Sequence, residues 1–138
     1  MDHLSNSKYE ALRRWFEVFN TGDIGKMKAV AEELCTPDYR LHDPSYPKAE
    51  VTLAEFFEGF EPFMKTVLNP KAEILDVIQE GEKTATRVFY EWQDVETKEH
   101  KRGTGIFIHR FENGKIAEEW QVMAIMTEKI DAVAQAEK

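Results

Sequence analysis

The strongest constraint on this chain is the order in which its two hydrophobic periodicities occur. Apolar residues recur at three- and four-residue steps through the first half and alternate with polar ones through most of the second. The first period gives a helix one buried face, and the second gives a strand one buried face. Helices first and long strands later argue for an α+β domain rather than alternating βαβ units.

Ser5 to Phe19 reads as a helix with Leu12, Trp15, Phe16 and Phe19 on one face. Asn20-Thr21-Gly22-Asp23 ends it. Gly22 suits a left-handed C-terminal position, and Asp23 suits the N-cap of a second helix, which runs to about Cys35 and is closed by Pro37. A third helix begins at the capping box Thr52-Leu53-Ala54-Glu55, carries Phe56, Phe57, Phe60 and Phe63, and ends near Asn69-Pro70. Strands are expected at Tyr39 to His42, Glu73 to Glu80, Thr84 to Val95, Gly103 to Phe111 and Ile116 to Met126. The last two are joined by a hairpin turn built on Asn113-Gly114. The tail from Thr127 is charged and helix-prone. A sheet of long twisted strands can curl around three helices and leave one end open as a ligand cavity.

Length and composition narrow the function classes. A chain of 138 residues suits one domain spanning 1–138. A formal net charge of −8 disfavours a nucleic-acid partner, which needs clustered Lys and Arg. The single cysteine, Cys35, sits among apolar residues and reads as an inert buried thiol in a reducing compartment. No apolar run is long enough for a membrane span, and the polar start MDHLSNSKYE has no signal-peptide core, so a cytoplasmic protein is expected. His3, His42, His100 and His109 are scattered without metal-ligand spacing. No phosphate-binding loop or nucleophile elbow occurs, so cofactor-free chemistry or plain binding is expected.

Three segments carry a resemblance. Phe19-Asn20-Thr21-Gly22-Asp23 matches an F-N-x-G-D loop, and Tyr39-Arg40-Leu41-His42-Asp43-Pro44 contains an H-D-P segment. The stretch from Arg110 to Trp120 matches R-x-x-x-G-K-I-x-E-x-W. In this order, over about residues 8 to 126, they resemble the SnoaL-like polyketide cyclases of the nuclear-transport-factor-2-like superfamily, which includes ketosteroid isomerase. The resemblance implies a cone-shaped α+β barrel with a hydrophobic pocket. It also implies a homodimer formed through the sheet. It does not fix a reaction, because fold alone does not carry one.

By that resemblance Asp43 stands at the general-base position of ketosteroid isomerase, while an Asp-Pro turn bonding its own backbone is the structural alternative. Gly105, Phe107 and His109 share one strand face, as do Glu119, Gln121 and Met123. The positions matching the SnoaL catalytic aspartate and its supporting histidine hold Gln121 and Phe107, which have no base strength. Glu119 and His109 are therefore the further acid–base candidates, each with a structural alternative as a surface glutamate or a core histidine. Trp15 matches the tyrosine of the isomerase oxyanion hole. Tyr39, His42, Phe57, Phe60 and Tyr90 complete the expected ligand-binding set with Phe107, Gln121 and Met123. Trp120 is expected on the opposite face, in the sheet or a dimer interface, and whether Tyr90 and Trp92 or Phe89 and Glu91 point inward is left open. The resulting expectation is an isomerase, cyclase or dehydratase acting on a hydrophobic carbonyl compound such as a polyketide or terpenoid. A non-catalytic binding or dimerisation module of the same fold is the alternative.

Overall fold

The computed structural model describes residues 6–127. The expected start of the first helix at Ser5 and the helix-prone tail beyond Thr127 lie outside the described residues. Three helices, α1 (Asn6–Glu17), α2 (Ile24–Leu34) and α3 (Leu53–Met64), pack against a curved, unclosed sheet of six strands. The strands are β1 (Cys35–His42), β2 (Val51–Thr52), β3 (Val67–Glu80), β4 (Lys83–Asp94), β5 (His100–Glu112) and β6 (Lys115–Thr127). Their spatial order is β2-β1-β6-β5-β4-β3.

The local signals act where the sequence places them. α1 runs into a 3-10 turn over Val18–Thr21, and Gly22 ends it at φ 65°. The Asp23 side chain accepts from the Lys26 backbone N–H and caps α2. Thr52 and Glu55 form the reciprocal capping box of α3. Asn113 and Gly114 turn the last hairpin with φ of 51° and 82°, the paired positive angles such a tight turn requires.

Two boundaries differ from expectation. Pro37 does not close a loop after α2, because the chain passes from Leu34 directly into β1. β1 pairs with β2 only at Arg40 and Leu41, so the missing N–H of Pro37 interrupts no bond on that side. Likewise Asn69-Pro70 does not end α3, which stops at Met64, but lies within β3 as a register shift between Leu68 and Lys71. Asn69 takes φ 54° there, and β3 is an edge strand, where proline and bulges are tolerated. Among the described residues, the parallel pairing of β1 with β6 is the one non-antiparallel contact in the sheet.

The core lies between the helices and the concave face. Leu12 and Phe16 of α1 meet Leu41, Val88, Phe107, Phe111 and Ile116 from four strands. The inner faces follow strict alternation: Phe107, His109 and Phe111 on β5 are buried, whereas Ile106 and Ile108 are exposed. β4 resolves the open choice, with Val88 and Trp92 buried in the core, Tyr90 packed against it, and Phe89 on the other face.

Candidate functional site

The concave side encloses a cavity of about 230 Å³. Trp15, Phe16 and Phe19 line it from α1 and its 3-10 extension, Met27 and Ala31 from α2, and Phe56, Phe57, Phe60 and Phe63 from α3. The sheet supplies Tyr39, Tyr90, Trp92, Phe107, Glu119, Gln121, Met123 and Ile125. Glycines make room in this wall. A Cβ on Gly105 would fall 2.5 Å from the Phe107 ring, so the ring lies where a side chain at 105 would stand.

Among the described residues the one carboxylate lining the cavity is Glu119, and three adjacent strands explain its surroundings. β6 lies between β1 and β5, with Glu119 opposite Leu41 on one side and His109 on the other. Tyr39, two residues before Leu41, shares its face and donates its hydroxyl to Glu119 Oε1 at 2.6 Å. His109 Nε2 lies 3.4 Å from the same oxygen. Glu119 is 2% exposed and His109 is fully buried. Trp15 and Phe16 set their rings edge-on to the His109 imidazole, and Phe107 stacks on it. Burial, then the charge of Glu119, pushes the Tyr39 hydroxyl well above its ordinary pKa. Tyr39 is therefore a fixed donor, not a proton source near neutrality.

Beneath this floor, Thr84 stands directly opposite His109 on β4, with Thr86 one pleat further along the same face. The hydroxyls of both and the two ring nitrogens of His109 are buried without a hydrogen-bond partner. Native interiors leave few such atoms. Cys35 is buried nearby, and burial together with Glu119 raises its thiol pKa, as an inert cysteine requires.

His42 and Asp43 are not among the residues lining the cavity. Tyr39 and Leu41 point inward on β1, so His42 points outward. There it stacks on Trp120 at 5.1 Å and bonds Glu118 at 2.7 Å. Asp43, just past β1, closes an Asx turn in which Oδ1 accepts from the Ser45 backbone N–H at 2.8 Å and hydroxyl at 2.7 Å. Its Oδ2 accepts from Gln121 Nε2 at 2.6 Å. Both residues line a second, more open groove of about 570 Å³ on the convex face, with Tyr46, Ile106, Ile108, Trp120 and Val122. Gln121 lines both spaces.

The structure thus brings together Trp15, Tyr39, Phe57, Phe60, Tyr90, Phe107, Glu119, Gln121 and Met123, with His109 against the floor. Sequence reasoning did not find the Tyr39–Glu119 bond, because nothing local announces that β1 pairs with β6. The aromatic steps of α3 did signal Phe56 and Phe63. Among the described residues, no three His, Cys, Asp or Glu side chains cluster as a metal site, and no helix is long and apolar enough to cross a membrane.

Comparison with known proteins places this architecture. IdmH of Streptomyces antibioticus, a proposed polyketide cyclase, superposes with a TM-score of 0.72 at 19% identity, over 95% of this chain and 99% of that one. AclR of Streptomyces galilaeus, a proposed hydroxylase, gives 0.74 at 16% identity, over 94% and 92%. TsrD of Streptomyces laurentii gives 0.71 at 19% identity, over 88% and 91%. At these identities the likeness establishes the nuclear-transport-factor-2-like fold and not a reaction. No functionally curated protein matches the chain significantly. The family description "SnoaL-like domain" matches residues 12–119, from the buried Leu12 of α1 to the cavity glutamate itself, and the chain belongs to that family.

Proposed function

We propose that this protein is a cofactor-independent acid–base enzyme that isomerises, cyclises or dehydrates a hydrophobic carbonyl compound of the polyketide or terpenoid kind. The observation that carries the reading is the Glu119 carboxylate, buried at the floor of an aromatic cavity and held by Tyr39. Glu119 takes the part that sequence alone offered first to Asp43, because Asp43 lies outside the cavity lining and is bound by Ser45 and Gln121. In this scheme Tyr39 fixes Oε1, and the carboxylate removes a proton from the carbon next to the substrate carbonyl and returns it to another substrate atom. His109 lies beside the carboxylate, its Nε2 3.4 Å from Oε1, and packs the floor behind it. A positioned general base of this kind contributes roughly 10²–10⁴-fold to rate. The resemblance to proposed polyketide cyclases supports the substrate class.

The test is deuterium exchange at the α-carbon of a panel of aromatic and polyketide-like ketones, followed by NMR. Wild type should catalyse exchange, and Glu119→Gln should slow it by about 10²-fold or more while retaining affinity. Ketones that bind without exchanging would favour the non-catalytic binding module.

A second reading concerns the convex face, which we propose pairs two copies. Ile106 is 50% and Val122 59% exposed there, and they are cross-strand neighbours beside Ile108 and Trp120. An exposed apolar stripe of this kind supports that reading. Sedimentation should give a dimer for wild type and a monomer for Ile106→Glu.

A further inference from the structure

We infer that Asp43 is a positioning residue that locks the Gln121 side-chain amide, so that its oxygen faces the cavity and selects ligands carrying a hydrogen-bond donor. This rests on the reading that the cavity binds a small molecule. The amide of a glutamine can sit either way round, and its partners decide which. Here the partner permits one orientation. Both Asp43 oxygens act as acceptors, Oδ1 toward the Ser45 N–H and hydroxyl and Oδ2 toward Gln121. The Gln121 NH₂ is held by Asp43, which lines the convex groove, while Gln121 itself lines both spaces, and from this we place Oε1, on the other edge of the amide, toward the cavity. The cavity then presents two acceptors two residues apart on β6, Glu119 and the Gln121 oxygen, in a wall otherwise built of aromatic and aliphatic residues, of which the tyrosines and tryptophans carry donors. A ligand that satisfies the Gln121 oxygen carries a hydroxyl beside its reactive carbonyl region, as a partly reduced or enolised polyketide does.

The same logic gives an inversion. In Asp43→Asn, Ser45 still donates twice to the Oδ1 position, so the new NH₂ occupies the Oδ2 position. Gln121 must then flip to accept from it, and its own NH₂ enters the cavity.

The test is titration calorimetry with three naphthalene probes of similar size: 2-naphthol as donor, 2-acetonaphthone as acceptor only, and 2-methylnaphthalene as the apolar reference. Affinities are read relative to the reference, and variant ratios are compared with wild type. A neutral hydrogen bond is worth about tenfold in such a ratio. Asp43→Asn should lower the 2-naphthol ratio about tenfold and raise the 2-acetonaphthone ratio by a similar factor. Gln121→Met should lower the first without raising the second. Ratios unchanged in both variants would overturn the inference, as would a loss for 2-naphthol in Asp43→Asn with no gain for the ketone. Failure of all three probes to bind wild type would instead overturn the ligand-cavity reading on which the inference stands, and the inference with it.

Discussion

Glu118 and Glu119 are neighbours on β6, and each has a histidine partner, yet they solve opposite problems. Glu118 points to the convex side, where His42 bonds it at 2.7 Å and Arg110 at 3.1 Å. Burial alone would raise its pKa, but those two hydrogen bonds outweigh it and hold the group below its ordinary value. Glu119 points to the cavity, has no arginine, and shares one oxygen between a tyrosine hydroxyl and a histidine outside hydrogen-bonding geometry. The outer group has donors to spare at an open surface. The inner one has a single firm donor among the described residues and is buried. A structural ion pair is built the first way. A carboxylate that must exchange a proton with something entering the site is built the second way.

That contrast can be broken at its strongest point first. Tyr39→Phe deletes the one firm donor to a buried carboxylate, and should cost about 1–3 kcal/mol of stability by urea unfolding. His42→Ala removes an outer hydrogen bond and a stacked ring at a partly exposed site, and should cost about 1 kcal/mol or less. Equal losses in the two variants would mean that the inner and outer pairs are alike, and the distinction would fail.

The smallest effect is one of pH. Because folding lowers the Glu118 pKa from its ordinary 4.5, the group stabilises the protein above that pH, and this share is lost as the pH falls through the lowered value. Glu118→Gln should therefore be less stable than wild type at neutral pH, with the gap closing toward pH 3, as read from urea midpoints at each pH. A gap that widens in acid would contradict the assignment.

What sequence could reveal followed the range of the interactions. The α+β order, the helix caps and the Asn113-Gly114 hairpin depend on residues within a few positions of one another, and all three are present. Once that hairpin sets the register, the period of two places Phe107, His109, Glu119 and Gln121 inward and Trp120 outward. The pairing of β1 with β6 has no local signature, so Tyr39 could be named as a binding residue but not as the partner of Glu119. Asp43 reads as a general base by resemblance and as an Asp-Pro turn by its local context. Its contact with Gln121, 78 residues away, depends on where two strand ends meet. The inner face of β4 stayed open because aromatic residues occur on both of its faces.

The parallel β1–β6 contact also has a consequence for assembly of the molecule. Tyr39 and Glu119 are separated by 80 positions, and the strand that brings the glutamate is the sixth to be made. The helices and the β3–β4 hairpin can form while the chain is still growing, but the floor of the cavity closes only when β6 docks between β1 and β5. Contacts of such long sequence separation are slow to form. The aromatic cup stands incomplete on one side until then, so the Tyr39–Glu119 floor is expected to arrive in a late step of folding, after most of the wall that shelters it.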